Sequence, residues 1–307
     1  MSDMAQVQLA KPYHPVLSRL RLIVRRWKRI DLFQWFMMVA LVLLAVFMIM
    51  PIVFIISHAF KPINELYLYP PRFFVSNATL FNFKQLILKS QTMAIPFSRY
   101  LFNSLVTTGL TVVSVVFVSS LAAYAFSKHR FPGSGFFFSL TIVSLMFAPE
   151  AVAIPRYLVI SHLGIMNTYW VHVLPLVAAP VGVFLMKQFV DQIPGALMEA
   201  AKIDGAREFW IFYRIVLPIC LPAVSTVAIL AFQASWSQME TSVLFTQDDA
   251  MKTLPFYVAS LTNGLANNVV GQGIAAAAGL LMFLPNLIIF LLFQRKMLQT
   301  MAHSGIK

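Results

Sequence analysis

Long apolar segments separated by short polar stretches dominate the chain. A helix needs about 20 apolar residues to cross the hydrocarbon core of a bilayer, and six windows of roughly this length are nearly free of Asp, Glu, Lys and Arg. The predicted spans cover residues 32–59, 101–126, 136–159, 169–186, 215–236 and 274–293. This pattern predicts an all-α integral membrane protein with six transmembrane helices.

Basic residues are distributed unevenly between the two sides of these spans. Sixteen of the 23 Lys and Arg residues lie in the N-terminal tail, the second-to-third and fourth-to-fifth connections and the C-terminal tail. Because short loops rich in Lys and Arg stay in the cytoplasm, both termini are predicted to be cytoplasmic. The predicted divisions are a basic tail over 1–31, a transmembrane domain over 32–294 and a C-terminal tail over 295–307.

Composition supports a membrane protein and argues against a nucleic-acid-binding one. Apolar residues make up 59% of the chain and charged residues only 11%, whereas soluble domains carry about 25% charged residues. The net charge of +12 comes from residues clustered beside apolar runs, without a basic groove interleaved with aromatic side chains. The first span follows about thirty polar and basic residues, unlike a cleaved signal peptide, and is expected to remain as an anchor.

Motifs for catalysis and metal binding are absent from the sequence. There is no G-x-x-x-x-G-K-[ST] loop to hold ATP phosphates, so any hydrolysis is expected on another chain. The six histidines lack metal-ligand spacing, and no nucleophile has a base nearby in the sequence. Cys220 is expected to be a small buried hydrophobe. We therefore expect a non-catalytic subunit that binds no metal or cofactor.

The connection over residues 190–214, between the fourth and fifth predicted spans, is amphipathic. Pro194 can open a helix, and Gly205 supplies a break or a close backbone approach. Ala200, Ile203 and Ala206 share one face at a spacing of three residues and could press into a groove on another protein. The carboxylates of this segment can pair with a partner's arginines or with basic residues nearby.

Three motifs in and after this connection resemble the EAA loop of ABC importer permeases: Glu199-Ala200-Ala201, Asp204-Gly205-Ala206 and Leu217-Pro218. The chain looks especially similar to the sugar-importer branch, which includes the maltose and glycerol-3-phosphate permeases. The resemblance implies the type I importer fold, with a cytoplasmic coupling helix that docks on an ATP-binding subunit. It implies the following coupling residues: Glu199, Ala200, Ala201, Ile203, Asp204, Gly205, Ala206, Leu217 and Pro218.

The resemblance extends over most of the chain, as in Asn103-Ser104-Leu105 and Tyr124-Ala125-Phe126-Ser127. The C-terminal Ser304-Gly305-Ile306-Lys307 resembles the tail of the maltose-type second membrane subunit, which implies an ATPase contact through Ser304, Gly305 and Lys307. The implied location is a bacterial cytoplasmic membrane. The implied partners are a second homologous permease, a dimer of ATPase subunits carrying ATP and Mg²⁺, an extracytoplasmic solute-binding protein and membrane lipid.

Polar side chains in or beside the spans are candidates for contact with solute, because such groups are costly in lipid unless they face a cavity or a neighbour. These candidates are Gln233, Trp236, Ser237, Glu240, Glu150 and Asn286. In similar permeases Trp is usually followed by Asn, which Ser237 replaces here. For each candidate a structural role, namely an interhelical hydrogen bond or, for Trp236, a headgroup contact, is favoured at least as strongly as contact with solute.

The solute itself remains open at this point. A sugar or oligosaccharide follows from the resemblance, glycerol phosphate is an alternative, and Glu240 could select an amine. A second class of function is an ion-coupled secondary transporter, which would require acidic relays within the membrane and internal inverted repeats. The predicted spans contain almost no acidic residues, and no repeat is visible.

Overall fold

The computed structural model describes residues 31–70, 72–91, 95–265 and 269–304, and the regular elements within these ranges are all helical. The chain divides into two compact units, Met1–Phe54 and Ile55–Lys307. The described part of the first unit belongs to helix α1 (Leu32–Phe60), whose residues from Leu32 to Pro51 are all exposed. Since this helix is apolar on every side, lipid or another membrane segment is its natural surrounding.

The second unit begins with the end of α1 and two short helices, α2 (Ile63–Leu66) and α3 (Phe81–Gln91). Asn82 of α3 satisfies the carbonyl groups that the end of α1 leaves open: its Nδ2 donates to His58 O, Ala59 O and Lys61 O at 3.2, 3.0 and 2.9 Å. Such bonds matter because the last carbonyls of a helix have no partner within the helix.

Glu65 of α2 organises the loop that follows. Its two carboxylate oxygens accept the backbone N–H groups of Ser76 and Asn77 at 3.0 and 2.8 Å. The bond from Ser76 is the largest cause of a lowered pKa for the Glu65 carboxyl group, burial acts in the opposite direction, and the bond from Asn77 and the charges of Arg72 and Lys61 add to the lowering. The ionised form therefore stabilises this loop.

The central helix of the second unit is α4 (Phe97–Lys128), and the helices that follow it are shorter: α5 (Ser134–Ser144), α6 (Ala153–His162), α7 (Trp170–Val177), α8 (Pro180–Asp191) and α9 (Gly195–Ile203). The buried face of α4 carries small and hydroxyl side chains: Ser104, Thr107, Thr108, Thr111, Ser119, Ser120 and Ala123. These side chains let neighbouring helices approach closely.

The second half of the unit continues from α9 into α10 (Glu208–Ile211), a π-helical turn (Phe212–Val216), α11 (Leu217–Ile219), α12 (Leu221–Trp236), α13 (Glu240–Leu244), a 3₁₀ turn (Asp249–Met251), α14 (Leu254–Leu265) and α15 (Val269–Ser304). One hydrophobic core joins α4, α8 and α12 to the segment around α9 and α10. A second core packs Trp236 and Tyr100 against Tyr257 and neighbouring residues.

Among the described residues, three helical stretches are long and apolar enough to cross a membrane: Leu32–Phe60, Phe97–Lys128 and Gly271–Gln294. They coincide with the first, second and sixth predicted spans. Two bent pairs, Trp170–Val177 with Pro180–Asp191 (47°) and Glu208–Ile219 with Leu221–Leu244 (83°), bring the number to five if each pair is one span. The six-span count therefore stays a prediction.

The differences from six straight spans lie at prolines. The third predicted span, 136–159, contains the 11-residue helix α5, turns around Pro149, and then α6. The fourth bends before Pro180 and the fifth bends between Pro218 and Pro222. Proline lacks a backbone N–H and clashes with the preceding turn, so an apolar run that contains it need not form one straight helix.

Candidate functional site

Helix α9 is the centre of the predicted coupling segment, and it presents one face to the core and one to the outside. Met198 and Ala201 are buried in the main hydrophobic core. Glu199 and Ala200 are exposed, and Ile203 is 86% exposed although it is a large aliphatic residue. A single exposed apolar side chain is common on protein surfaces, and it indicates a contact site only together with other exposed apolar residues, here Leu197 and Trp210 of the same segment.

A Schellman motif ends α9. The N–H of Ala206 donates to Ala201 O at 2.9 Å and the N–H of Gly205 donates to Lys202 O at 3.0 Å, which is the pair of bonds that defines this motif. Gly205 has φ +79°, in the left-handed region that residues with a side chain rarely adopt. The break predicted at Gly205 is thus a tight reversal, and it keeps Asp204 exposed at the tip.

A groove of about 560 Å³ lies beside this turn. Residues of α9, of the turn after it and of the two following helical elements line the groove: Leu197, Ala200, Ala201, Asp204, Gly205, Ala206, Arg207, Trp210 and Ile215. Ala206 packs against the main core, so the predicted face of Ala200, Ile203 and Ala206 is only partly free. The surface open to a partner consists of the groove together with Glu199 and Ile203.

Neither Glu199 nor Asp204 forms an ion pair within the part of the chain that the structure describes. Lys202, one of the intramolecular partners considered for them, instead pairs with Glu208, with 3.1 Å between Nζ and Oε2. The two exposed carboxylates of the coupling segment are thereby left open to a basic partner.

Glu208 also contacts the C-terminal end of α4. Its Oε1 accepts the hydroxyl of Tyr124 at 2.6 Å and lies 3.1 Å from His129 Nε2. Sequence reasoning did not single out this residue. In the sequence, Glu208 is a carboxylate beside Arg207 and six residues after Lys202, in a basic loop. This local pattern does not reveal contacts with a helix about eighty residues earlier in the chain.

The predicted Leu217-Pro218 motif stands where the chain turns into the fifth predicted span. Pro218 follows a π-helical turn, Phe212–Val216, and cannot donate the backbone bond that a regular helix would use there. The helix direction then changes by 83° at Cys220. Cys220 is fully buried in the main core, as expected for a small hydrophobe.

The solute-contact candidates do not form one cluster. Trp236 is only 1% exposed, its ring stacks on Phe232, and its Nε1 donates to Met282 O at 3.0 Å. A side chain this deeply buried makes an interhelical hydrogen bond rather than the headgroup contact expected as the alternative for Trp236, because a buried indole N–H needs an acceptor. Gln233 and Ser237 are both exposed, and their spacing of four residues places them on the same side of the helix end.

Glu240 forms an ion pair with Arg156 across 84 positions of the chain. Arg156 Nη2 lies 2.7 and 3.0 Å from the two carboxylate oxygens of Glu240, and both side chains are largely shielded from solvent. The pair joins α6 to α13. No local pattern around either residue indicates this pairing. Because of it, the Glu240 carboxylate is already neutralised by a cation of its own chain.

Glu150 and Asn286 belong to other elements of the fold. Glu150 is exposed in the turn between α5 and α6. Asn286 lies in α15, and its Oδ1 is buried without a hydrogen-bond partner among the described residues. Of the predicted C-terminal contact, Ser304 is the last residue of α15, whereas Gly305 and Lys307 lie outside the described residues.

A polar network that sequence reasoning missed connects α4 to the loop around the 3₁₀ turn. Asn103 Nδ2 donates to Ala250 O and Lys252 O, each at 2.8 Å, and Asn103 Oδ1 accepts the Tyr169 hydroxyl at 2.9 Å. Ser104 Oγ accepts the N–H of Leu254 at 2.7 Å. Asn103 and Ser104 had been noted only as part of a family pattern, and the network gives them a physical role in holding this loop.

The described residues contain no group of three or more His, Cys, Asp or Glu side chains arranged to hold a metal ion. His172, an isolated histidine, makes hydrogen bonds within the protein and is not part of a metal-binding group. Its two ring nitrogens lie 2.8 Å from Thr241 Oγ1 and 3.2 Å from Met251 O, inside the same buried network.

Comparison with known proteins connects this geometry to a family. Residues 115–296, which include α9 and the following turn, match the profile described as "Binding-protein-dependent transport system inner membrane component". The chain is 34% identical to the Probable ABC transporter permease protein YurM of Bacillus subtilis over 212 residues, 68% of this chain and 70% of that protein.

Two further matches cover nearly the whole chain. The arabinooligosaccharides transport system permease protein AraQ of Halalkalibacterium halodurans is 29% identical over 286 residues, 91% of this chain and 99% of that one. A chain from the crystal structure of a bacterial ABC transporter involved in the import of the acidic polysaccharide alginate superposes with a TM-score of 0.71 at 19% identity, covering 93% of this chain and 99% of that chain. The architecture is therefore that of an ABC importer permease, and the chain belongs to the family of binding-protein-dependent transport system inner membrane components.

Proposed function

We propose that the chain is one membrane subunit of an ATP-driven importer that takes up a sugar or an oligosaccharide delivered by an external solute-binding protein. In this proposal the chain and a second homologous permease form the translocation pathway, and two ATP-binding subunits carry ATP and Mg²⁺. Both termini and α9 face the cytoplasm. The observation that carries the proposal is α9 itself, an exposed helix with a Schellman end, within the segment that matches the family profile.

The geometry of α9 suits a docking element. Ile203 and the adjoining groove provide apolar contact, while the exposed carboxylates of Glu199 and Asp204 can accept charge-assisted hydrogen bonds from a basic cleft. The order of α9, Pro218 and the 83° turn along the chain supports a position for this helix at the base of the fifth predicted span. Closure of the ATPase subunits would then move the base of that span between two positions.

A carbohydrate is the solute that the relatives favour, since AraQ is named for arabinooligosaccharides and the structural match for alginate. The exposed amide of Gln233 and hydroxyl of Ser237 are suited to hydrogen-bond sugar hydroxyl groups. Glu150 and Asn286 remain secondary candidates. Trp236 would support this helix end from inside, and the ion pair of Glu240 with Arg156 disfavours the selection of an amine.

A contact between the C-terminal tail and the ATPase, through Ser304, Gly305 and Lys307, is a further part of the proposal that rests on the sequence resemblance. Deletion of residues 304–307 should reduce ATP hydrolysis by the assembled transporter while leaving the ATPase attached through α9. Loss of the ATPase from the purified complex after this deletion would contradict that division of roles.

Uptake into proteoliposomes tests the proposal. The chain, reconstituted with its partner subunits and binding protein, is expected to accumulate a labelled oligosaccharide from a panel of arabino-oligosaccharides and maltodextrins only when ATP is supplied to the ATPase side. Glycerol 3-phosphate and ethanolamine are the probes for the other solutes. Accumulation of only one of these two compounds would replace carbohydrate as the proposed solute. Uptake driven by a proton or sodium gradient without ATP would identify a secondary transporter.

A further inference from the structure

Three polar contacts connect the coupling segment (residues 190–214) to the cytoplasmic end of α4, one before α9 and two after it. Before α9, Lys128 Nζ donates to Ile193 O at 2.7 Å. After α9, Glu208 accepts the Tyr124 hydroxyl at 2.6 Å and pairs with His129 at 3.1 Å. The contacts on α4 and just beyond it fall within six residues, so a single helix end holds both ends of the loop.

Glu208 also reaches α9 directly. Its second carboxylate oxygen lies 3.1 Å from Nζ of Lys202, which belongs to the last turn of α9. One carboxylate thereby connects the coupling helix to Tyr124 of α4. No other acidic side chain in the described part of the coupling segment bridges two helices in this way.

Packing beneath these contacts strengthens the connection. Tyr124 is buried, and its ring contacts Phe212 of the π-helical turn at a centroid distance of 5.5 Å. Tyr124 and Phe212 belong to the same hydrophobic core as Met198 and Ala201 of α9. The polar contacts thus lie over an apolar interface, and together they restrict sliding between α9 and the end of α4.

We infer that Glu208, with Lys128, is a positioning residue that makes α9 and the cytoplasmic end of α4 move as one body when the ATPase subunits close. This inference rests on the proposed function. Force applied to α9 reaches the fifth predicted span through the continuous chain, and these contacts give it a second route into α4. Without them, α9 can shift while α4 stays behind, which weakens the coupling of ATP hydrolysis to movement of the pathway.

The connection between α9 and the end of α4 is tested by measuring the distance between α9 and the residues just after α4. Spin labels on Ala196→Cys and Arg130→Cys, in a Cys220→Ala background, report that distance, since both labelled positions are exposed. The complete transporter, purified with its ATPase in lipid nanodiscs, is measured without nucleotide and with ATP, Mg²⁺ and vanadate. The expected result is one narrow distance distribution that is the same in both states.

The double variant Glu208→Gln/Lys128→Met should broaden that distribution and make it shift on addition of ATP, Mg²⁺ and vanadate. Tyr124→Phe, which removes only one hydroxyl, should produce a smaller shift in the same direction. The matched control is Asp191→Asn, because Asp191 pairs at 2.7 Å with Lys187 of its own helix and bridges nothing. This control should leave the distribution narrow.

The outcomes separate the inference from the function on which it rests. Variants that keep their ATPase but retain the narrow, nucleotide-independent distribution would overturn the inference alone. A broadening equal to that of the double variant in Asp191→Asn would also overturn it, since the effect would then be general. Failure of the unmutated chain to co-purify with any ATPase would overturn the proposed function, and the inference with it.

Discussion

Arg156 and Glu240 lie 84 residues apart in the chain, yet Nη2 of Arg156 contacts both carboxylate oxygens of Glu240, at 2.7 and 3.0 Å. The pair holds α13, which follows the fifth predicted span, against α6. Both side chains are mostly shielded from solvent, so removal of one partner leaves the other poorly solvated.

Glu240→Gln is therefore expected to destabilise the protein by about 1–2 kcal/mol, as for the loss of a hydrogen bond to a charged group. The double variant Arg156→Gln/Glu240→Gln should recover part of the loss, because no unpaired charge then remains. Thermal unfolding in detergent of the single and double variants measures this coupling. Strictly additive losses would show that the two charges do not stabilise each other.

Gly205→Val should disrupt the reversal at the end of α9. A branched side chain in the left-handed conformation costs about 1–2 kcal/mol, and the observed φ of +79° leaves it no relaxed alternative. The expected result is loss of ATPase co-purification, with Gly205→Asn retaining more of it because asparagine tolerates this conformation.

Gly195→Ala is the matched control for Gly205. Gly195 lies at the start of the same helix, its φ is not positive, and a Cβ there would meet nothing within 4 Å. If Gly205→Val and Gly195→Ala retained the ATPase equally well, the left-handed backbone at Gly205 would not be required for ATPase binding.

Gly182→Ala should weaken the packing of α8 on α4. A Cβ at this position would lie 2.7 Å from Ser119 Oγ and 3.2 Å from Val227 Cγ1. Overpacking of this kind typically costs about 1–3 kcal/mol, which a lower melting temperature in detergent would report. Adding Ser119→Gly removes the closest neighbour and should restore most of the loss.

Gly279→Ala provides the comparison for Gly182, because a Cβ on that α15 glycine has nothing within 4 Å. It should leave the melting temperature unchanged or slightly raised, as alanine favours helix over glycine. Equal destabilisation at both glycines would mean that the contact with Ser119 is not the cause.

Glu65 predicts a pH dependence in the loop after α2. The pKa of Glu65 in the folded state is lowered, and the hydrogen bond from the Ser76 N–H is the largest cause. The ionised carboxylate therefore stabilises the fold at pH values above the unfolded-state pKa. This stabilisation is lost as the pH falls through the folded-state pKa. Glu65→Gln should therefore melt below wild type at pH 6, and the difference should shrink as the pH is lowered below about 4.

Ser76→Ala is the control for this titration, because it keeps the backbone N–H that contacts Glu65 and removes only the side-chain hydroxyl. Its dependence on pH should follow that of wild type. A gap between Glu65→Gln and wild type that stays constant between pH 6 and pH 3 would show that the Glu65 carboxylate does not act through its ionisation.

Hydrophobic length alone predicts three helices of this fold within a few residues. The predicted spans 32–59, 101–126 and 274–293 correspond to the helical stretches Leu32–Phe60, Phe97–Lys128 and Gly271–Gln294. These helices are determined locally, by continuous apolar runs. The remaining apolar segments bend or break near Pro149, Pro180 and Pro218, whereas Pro51 and Pro285 lie within continuous helices. Average hydropathy does not distinguish these two outcomes of a missing backbone N–H.

In the candidate site, too, features set by one residue are predictable from the sequence, whereas contacts between residues far apart in the chain are not. Residue type at Gly205 predicts either a break or a close backbone approach, and the structure shows the break, with a left-handed backbone and no atom of a non-adjacent residue within 4 Å of the Cβ position. The contacts of Glu208 with Tyr124, and of Arg156 with Glu240, join residues 84 apart. No periodicity or motif within one segment indicates such a pair, because the fold of the intervening chain decides which side chains meet.

The hydroxyl-rich face of α4 has a mechanical consequence. Near its beginning, Ser104 and Thr108 are bonded to Leu254 and Ser235 of other helices. Further along, the hydroxyl groups of Ser119 and Ser120 have no hydrogen-bond partner among the described residues, so few polar bonds resist a shift there. Hydrogen bonds therefore anchor α4 to its neighbours near Ser104, whereas the stretch around Ser119 is held to α8 by close packing alone.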